Sequence, residues 1–202
     1  MNEMSWWTRA TDHTLELALG LALLLVGIVE ILLPVLGVST PFGPGDTREV
    51  QVDGAARLAG DMTAGAVTLR GSGHAELAFT DPGLGQRLLL ALPAVVSGLL
   101  VIAMLTVLLR VARTFRDGDF FVPQNTRRLT AVAAALVLLG TVVPLLEMMT
   151  TNLLARELPW ADAITPAHGF AVQPVFLALL VGAAAGAFRA GTRLRADTEG
   201  LV

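Results

Sequence analysis

The chain predicts an all-α membrane protein: a four-transmembrane-helix bundle with a small extracytoplasmic β-rich insertion between helices 1 and 2. Three observations carry this expectation. Hydrophobic residues fill 54% of the 202 positions and charged residues only 15%, and the mean hydropathy of +0.67 is far above that of a soluble domain of this length. Four apolar runs each reach the roughly 20 helical residues that a hydrocarbon core of about 30 Å demands. Arginines gather at one side of these runs, as a membrane orientation requires.

In chain order the expected segments are a cytoplasmic N-terminus at 1–13, helix 1 at 14–37, the extracytoplasmic β-rich domain at 38–87, and helix 2 at 88–110. A cytoplasmic loop at 111–128, helix 3 at 129–150, an extracytoplasmic loop at 151–170, helix 4 at 171–189 and a cytoplasmic tail at 190–202 complete them. The first run follows "MNEMSWWTRATDHT" and is longer than a secretory signal core. It has only Arg9 as a positive leader and no small-residue cleavage site after it, so it reads as a retained helix anchored at the interface by Trp6 and Trp7.

Orientation follows from Arg110, Arg113, Arg116, Arg127 and Arg128 in the central loop and from Arg189, Arg193 and Arg195 in the tail. They outnumber Arg87 and Arg156 on the other side, which puts both termini in the cytoplasm. Residues 38–87 then lie outside. The pieces "REVQV", "AVTLR" and "HAELAF" alternate apolar and polar residues between Gly, Pro, Asp and Thr, which predicts a small antiparallel sheet. About 50 residues build little core alone, so this sheet leans on the helices or on a second copy. The loop at 151–170 brings Trp160 to headgroup level and has two prolines that interrupt helix.

The absence of cysteine excludes disulfides, thiol redox chemistry and cysteine metal sites, and with them the quinone-coupled disulfide oxidases. Every Lys/Arg position is Arg, a bias that fits a GC-rich bacterial genome. His13, His74 and His168 fall in separate segments without ligand spacing, so no metal site is expected. No phosphate-cradling loop, nucleophile elbow or paired-acid pattern occurs at a workable place, so neither catalytic residues nor cofactors are expected. "GAAAG" at 182–186 has the small-residue spacing that lets membrane helices approach, within the bundle or in a homo-oligomer.

Glu30 and Glu147 are acids inside predicted spans. Glu30 lies about 16 residues, or roughly 24 Å, from the inner start of helix 1, and Glu147 about 17 residues from that of helix 3, so both sit in the outer leaflet. Each has a proline nearby, Pro34 and Pro144, which frees a backbone carbonyl and bends the helix. Two readings stand open: an intramembrane ion or ligand site made by two acids, or carboxylates that reach water or pair with Arg87 or Arg156.

The polar island "TFRDGDFFVPQNTRRL" at 114–129 divides the middle runs. Arginines continue helix 2 beyond the membrane, Gly118 supplies a turn, Pro123 opens a new helix, and Phe115, Phe120 and Phe121 fold back on the helix ends. The same elbow suits either a membrane-hugging brace or a docking surface for a cytoplasmic protein, because aromatic and Arg side chains anchor interfaces.

"LLRVARTFRDGDFFVPQNTRRLTAVAAALVLLG" resembles the bacterial membrane family called domain of unknown function 2975 (DUF2975). The positions that carry the resemblance are Phe115, Gly118, Phe120, Asn125, Arg128 and Leu129, together with the tail "AFRAGTRLRADTEGLV". The family has four spans and no assigned activity, and its members are often encoded beside a small helix-turn-helix regulator. The resemblance therefore implies a non-enzymatic sensor or anchor in the bacterial cytoplasmic (inner) membrane. It would couple an envelope signal to that regulator, with Phe115, Gly118, Phe120, Phe121, Asn125 and Arg128 as the docking positions. The chain itself would meet the lipid bilayer and no nucleic acid. The alternative is a small transporter, channel or immunity-type protein working through Glu30 and Glu147.

Overall fold

A computed structural model of the chain describes residues 14, 17–36, 47–52, 62–64, 67–72, 74–116, 122–156, 158–159, 161, 164–166 and 171–199. Trp6, Trp7, Arg9, His13, Glu16, Gly118, Phe120, Phe121, Trp160 and His168 lie outside the described residues.

Four described helices are long and apolar enough to cross a membrane. They are α1 (Leu17–Leu36), α2 (Leu84–Arg116), α3 (Pro123–Ala155) and α4 (Val172–Glu199). Five strands, β1 (Thr47–Val52), β2 (Met62–Ala64), β3 (Val67–Ser72), β4 (His74–Phe79) and β5 (Ile164–Pro166), form one sheet in the order β2-β3-β4-β1-β5. All of its pairings are antiparallel.

Helical structure outlasts the apolar runs. As the arginines and Pro123 of the central island predict, the helices run beyond the apolar spans 88–110 and 129–150: α2 covers Leu84–Arg116 and α3 covers Pro123–Ala155. Arginine is a good helix former, so leaving the apolar stretch does not end the ladder of backbone hydrogen bonds. At its other end α2 takes in residues 84–87, which were expected to close the insertion at 38–87. At its start α2 is capped by Gly83 N–H donating to Gln86 Oε1 at 3.1 Å, the return half of a capping box. Pro123 opens α3 as expected of a residue whose missing N–H costs nothing in a first turn.

The loop at 151–170 adds a strand that its sequence did not announce. Its residues Ile164–Pro166 pair with β1 in the register Val50↔Pro166 and Val52↔Ile164, so the sheet is not confined to the insertion. Three residues ending in proline are too short a signal to stand out as a strand, and proline is tolerated there because β5 is an edge.

Contacts divide the chain into two compact units: 28–99 with 139–171, and 1–27 with 100–138 and 172–202. In the first, alternation along the strands sends Val50, Val67, Leu77 and Phe79 into a core shared with Leu90 of α2 and Leu154 and Ala155 of α3. Val50 and Leu77 are completely buried. The sheet thus obtains from the helices the core that its own length could not supply. In the second unit the buried side chains include Val111, Val132, Ala185 and, unusually, Asn125.

Candidate functional site

Two prolines shape the sheet-bearing unit. A proline inside a helix cannot bond the carbonyl four residues back, and its ring pushes that carbonyl aside. Pro93 in α2 does this to Leu89, and Pro144 in α3 does it to Gly140. Both freed acceptors meet donors from elsewhere in the unit. Ala171, just ahead of α4, donates its backbone N–H to the Gly140 carbonyl at 3.1 Å. A helix start has N–H groups to spare, so this contact satisfies an orphan at each end.

The opening at Pro93 is filled by Arg48. On β1, Arg48 shares a face with the buried Val50, and cross-strand pairing sets it opposite Leu77, so its side chain heads for the helices. Its Nη2 donates to the Leu90 carbonyl at 3.1 Å and reaches the Leu89 carbonyl at 3.5 Å. Its Nε is buried without a hydrogen-bond partner among the described residues. Burial pushes the guanidinium below its ordinary pKa, and the nearby Glu147 carboxylate partly offsets that push. Arg48 remains a cation at neutral pH. Glu147 is itself half-buried, one turn beyond Pro144. Arg87, one arginine expected to serve the intramembrane acids, instead meets Asp81 at 3.6 Å.

Glu30 occupies a π-helical stretch of α1, Gly27–Leu32. Pro34 removes the N–H that would bond the Glu30 carbonyl, and the wider turn accommodates the displaced group. Glu30 is half-buried, and α2 comes very close to it: a Cβ placed on Gly98 would stand 2.9 Å from Glu30 Cβ and 2.9 Å from Ile31 Cγ1. Only glycine permits that approach.

Of the six positions expected to dock a partner, three are described, all in the other unit. Asn125 has no exposed surface. Its Nδ2 donates at 2.8 Å to the Thr114 hydroxyl, which donates in turn to the Val111 carbonyl at 2.7 Å. Its Oδ1 accepts from Arg128 Nη1 at 3.1 Å, and the same nitrogen donates to the Arg110 carbonyl at 3.0 Å. Phe115 stacks on Phe188 of α4, ring centroids 5.7 Å apart and planes within 6°. Phe115, Asn125 and Arg128 therefore tie the end of α2 to the start of α3 and to α4. Gly118, Phe120 and Phe121 lie outside the described residues.

Sequence reasoning missed Arg48 and Pro93. A signal for both existed: an arginine in phase with valine in "TREVQV", and a proline four residues after leucine in "LLLALPAVV". Among the described residues no group of three or more His, Asp or Glu gathers to hold a metal ion. Compared with protein-family models, curated proteins and solved structures, the chain finds no match.

Proposed function

We propose that the chain is a non-enzymatic, multi-pass protein of the bacterial inner membrane in which an extracytoplasmic sheet reports an envelope signal through the helices to a cytoplasmic helix-turn-helix regulator. The observation that carries this reading is the Arg48 joint. A cation from the sheet bonds the Leu90 carbonyl and reaches the Leu89 carbonyl that Pro93 has freed, so anything that moves β1 also pulls on α2. That helix is continuous for 33 residues and has Thr114 and Phe115 in its last turn. Membrane residence is supported by the apolar residues that the helices leave exposed, among them Leu17, Leu21, Leu24, Leu138, Met149, Phe176 and Leu179. The resemblance to the DUF2975 family supports the partner class.

The test is affinity purification of the tagged protein from its own host in mild detergent, with Phe120→Ala/Phe121→Ala beside it. Recovery of a small helix-turn-helix protein with the native chain and its loss from the double variant is the expected result. Recovery from both in equal amount would sink docking at the phenylalanines.

The π-helical turn at Glu30 favours a second reading, because such turns recur at functional sites. A small transporter, channel or immunity-type protein would lose ion flux or protection in Glu30→Gln and Glu147→Gln. Unchanged activity in both variants removes that reading.

A further inference from the structure

Beside the Arg48 joint, but on another face of α2, the sheet-bearing unit holds a half-open groove of about 400 Å³. Its apolar wall is Val35 of α1 with Leu88, Ala91, Leu92 and Val95 of α2, and its one charged lining residue is Arg87. The spacing explains the arrangement. Positions 84, 88, 91 and 95 form one stripe of a helix, and 87 lies on the same stripe one turn below 91. The result is a greasy channel with a cation near the beginning of α2, where the helix dipole adds positive potential.

We propose that this groove binds one membrane phospholipid with an anionic headgroup: an acyl chain lies along Leu88, Ala91 and Val95, and the phosphate meets Arg87. The inference rests on the membrane reading above. Charge and shape support it together. The volume lies within the usual range for small-molecule sites. Leu84 and Leu88 are 82% and 69% exposed, so an acyl chain can enter sideways from a bilayer. Arg87 is held in place by its Nε donating to the Pro82 carbonyl at 2.9 Å, while its contact with Asp81 is an exposed one. Asp81 is 94% exposed, and an ion pair in that setting is readily exchanged for a phosphate. A guanidinium has five donors in a planar fork, which leaves Arg87 donors for phosphate oxygens.

The experiment reconstitutes the full chain in nanodiscs containing equal phosphatidylglycerol and phosphatidylcholine, then counts retained lipid by native mass spectrometry. The native chain should retain phosphatidylglycerol in preference. Arg87→Gln should cut that preference about threefold. Both headgroups carry the phosphate, and the net negative charge that distinguishes phosphatidylglycerol then loses its pairing with a partly exposed cation, worth under about 1 kcal/mol. Asp81→Asn, which removes the competing carboxylate, should raise it. Val95→Phe, which fills the groove, should lower retention of both lipids. Far-UV circular dichroism checks its fold, and the exposed Leu88→Ser replaces it if the bulky variant does not fold. Equal retention of the two lipids by the native chain, or a preference unaltered in Arg87→Gln, overturns the proposal while the membrane reading stands. Failure to enter the nanodisc overturns both. Loss of the regulator in the affinity experiment bears only on the signalling reading.

Discussion

The two polar clusters solve the same problem by different means. At Asn125, neutral and charged groups close a circuit in which amide nitrogen, amide oxygen and the Thr114 hydroxyl all have partners. At Arg48, a buried cation takes two helix carbonyls, leaves Nε without a partner among the described residues and relies on Glu147 for part of its charge balance. A fully satisfied network rigidifies, whereas a partly satisfied charge is sensitive to its surroundings. The Asn125 cluster is therefore built as a lock and the Arg48 joint as an adjustable link.

Asn125→Ala should show the largest effect. It strips a partner from Thr114 and one from Arg128 in a fully buried place, and a loss of about 3 kcal/mol is expected in unfolding from mild detergent. A loss below about 0.5 kcal/mol would mean that the circuit is no lock.

Arg48→Met should cost less, about 2 kcal/mol, because the aliphatic replacement keeps the packing while the carbonyls lose their donor and Glu147 loses a nearby positive charge. The difference should also be local. Hydrogen exchange should quicken in β1 and β4 and stay slow in the last turns of α2. Uniform acceleration would erase the distinction between link and lock. The joint should not respond to pH near neutrality. Its guanidinium is shifted downward on folding, so the unfolded chain holds the proton more tightly. Stability from this group then rises only at strongly alkaline pH.

Gly98→Val tests the other close approach in the same unit. Its side chain would press on Glu30 and Ile31, and overpacking of this kind costs about 1–3 kcal/mol. Disulfide trapping between cysteines placed on α1 and α2 should become slower. In the unit with Asn125, Phe188→Ala removes the stack on Phe115, with about 1 kcal/mol lost beyond the buried area. Its melting temperature should fall less than that of Asn125→Ala, and the reverse order would make the aromatic pair the principal fastening. Asp81→Asn is the smallest change. The exposed ion pair with Arg87 should alter stability by less than about 0.5 kcal/mol, so a larger shift would reveal a structural role for that turn.

Residues whose effect depends on their neighbours along the chain were legible. Apolar length located four helices, Pro123 marked the start of α3, and alternation in "REVQV", "AVTLR" and "HAELAF" located β1, β3 and β4. Glu30 and Glu147 stood out because charge in an apolar run is costly. Arg48 did not stand out, because an arginine in a polar insertion is ordinary until the strand turns it inward. Phe115, Asn125 and Arg128 were legible as a motif, but their local spacing could not reveal that Asn125 is buried or that Phe115 spends its ring on Phe188.

What the sequence determined by itself was the four helices and the three longer strands, since length, period and turn residues act within one segment. What only the tertiary structure decided was the assignment of partners. A proline announces a freed carbonyl, yet whether an arginine 41 residues earlier or an N–H just ahead of the next helix fills it depends on how distant segments pack. Hydrogen bonds are satisfied in space, and the chain order that fixes helices does not name the donor that completes them.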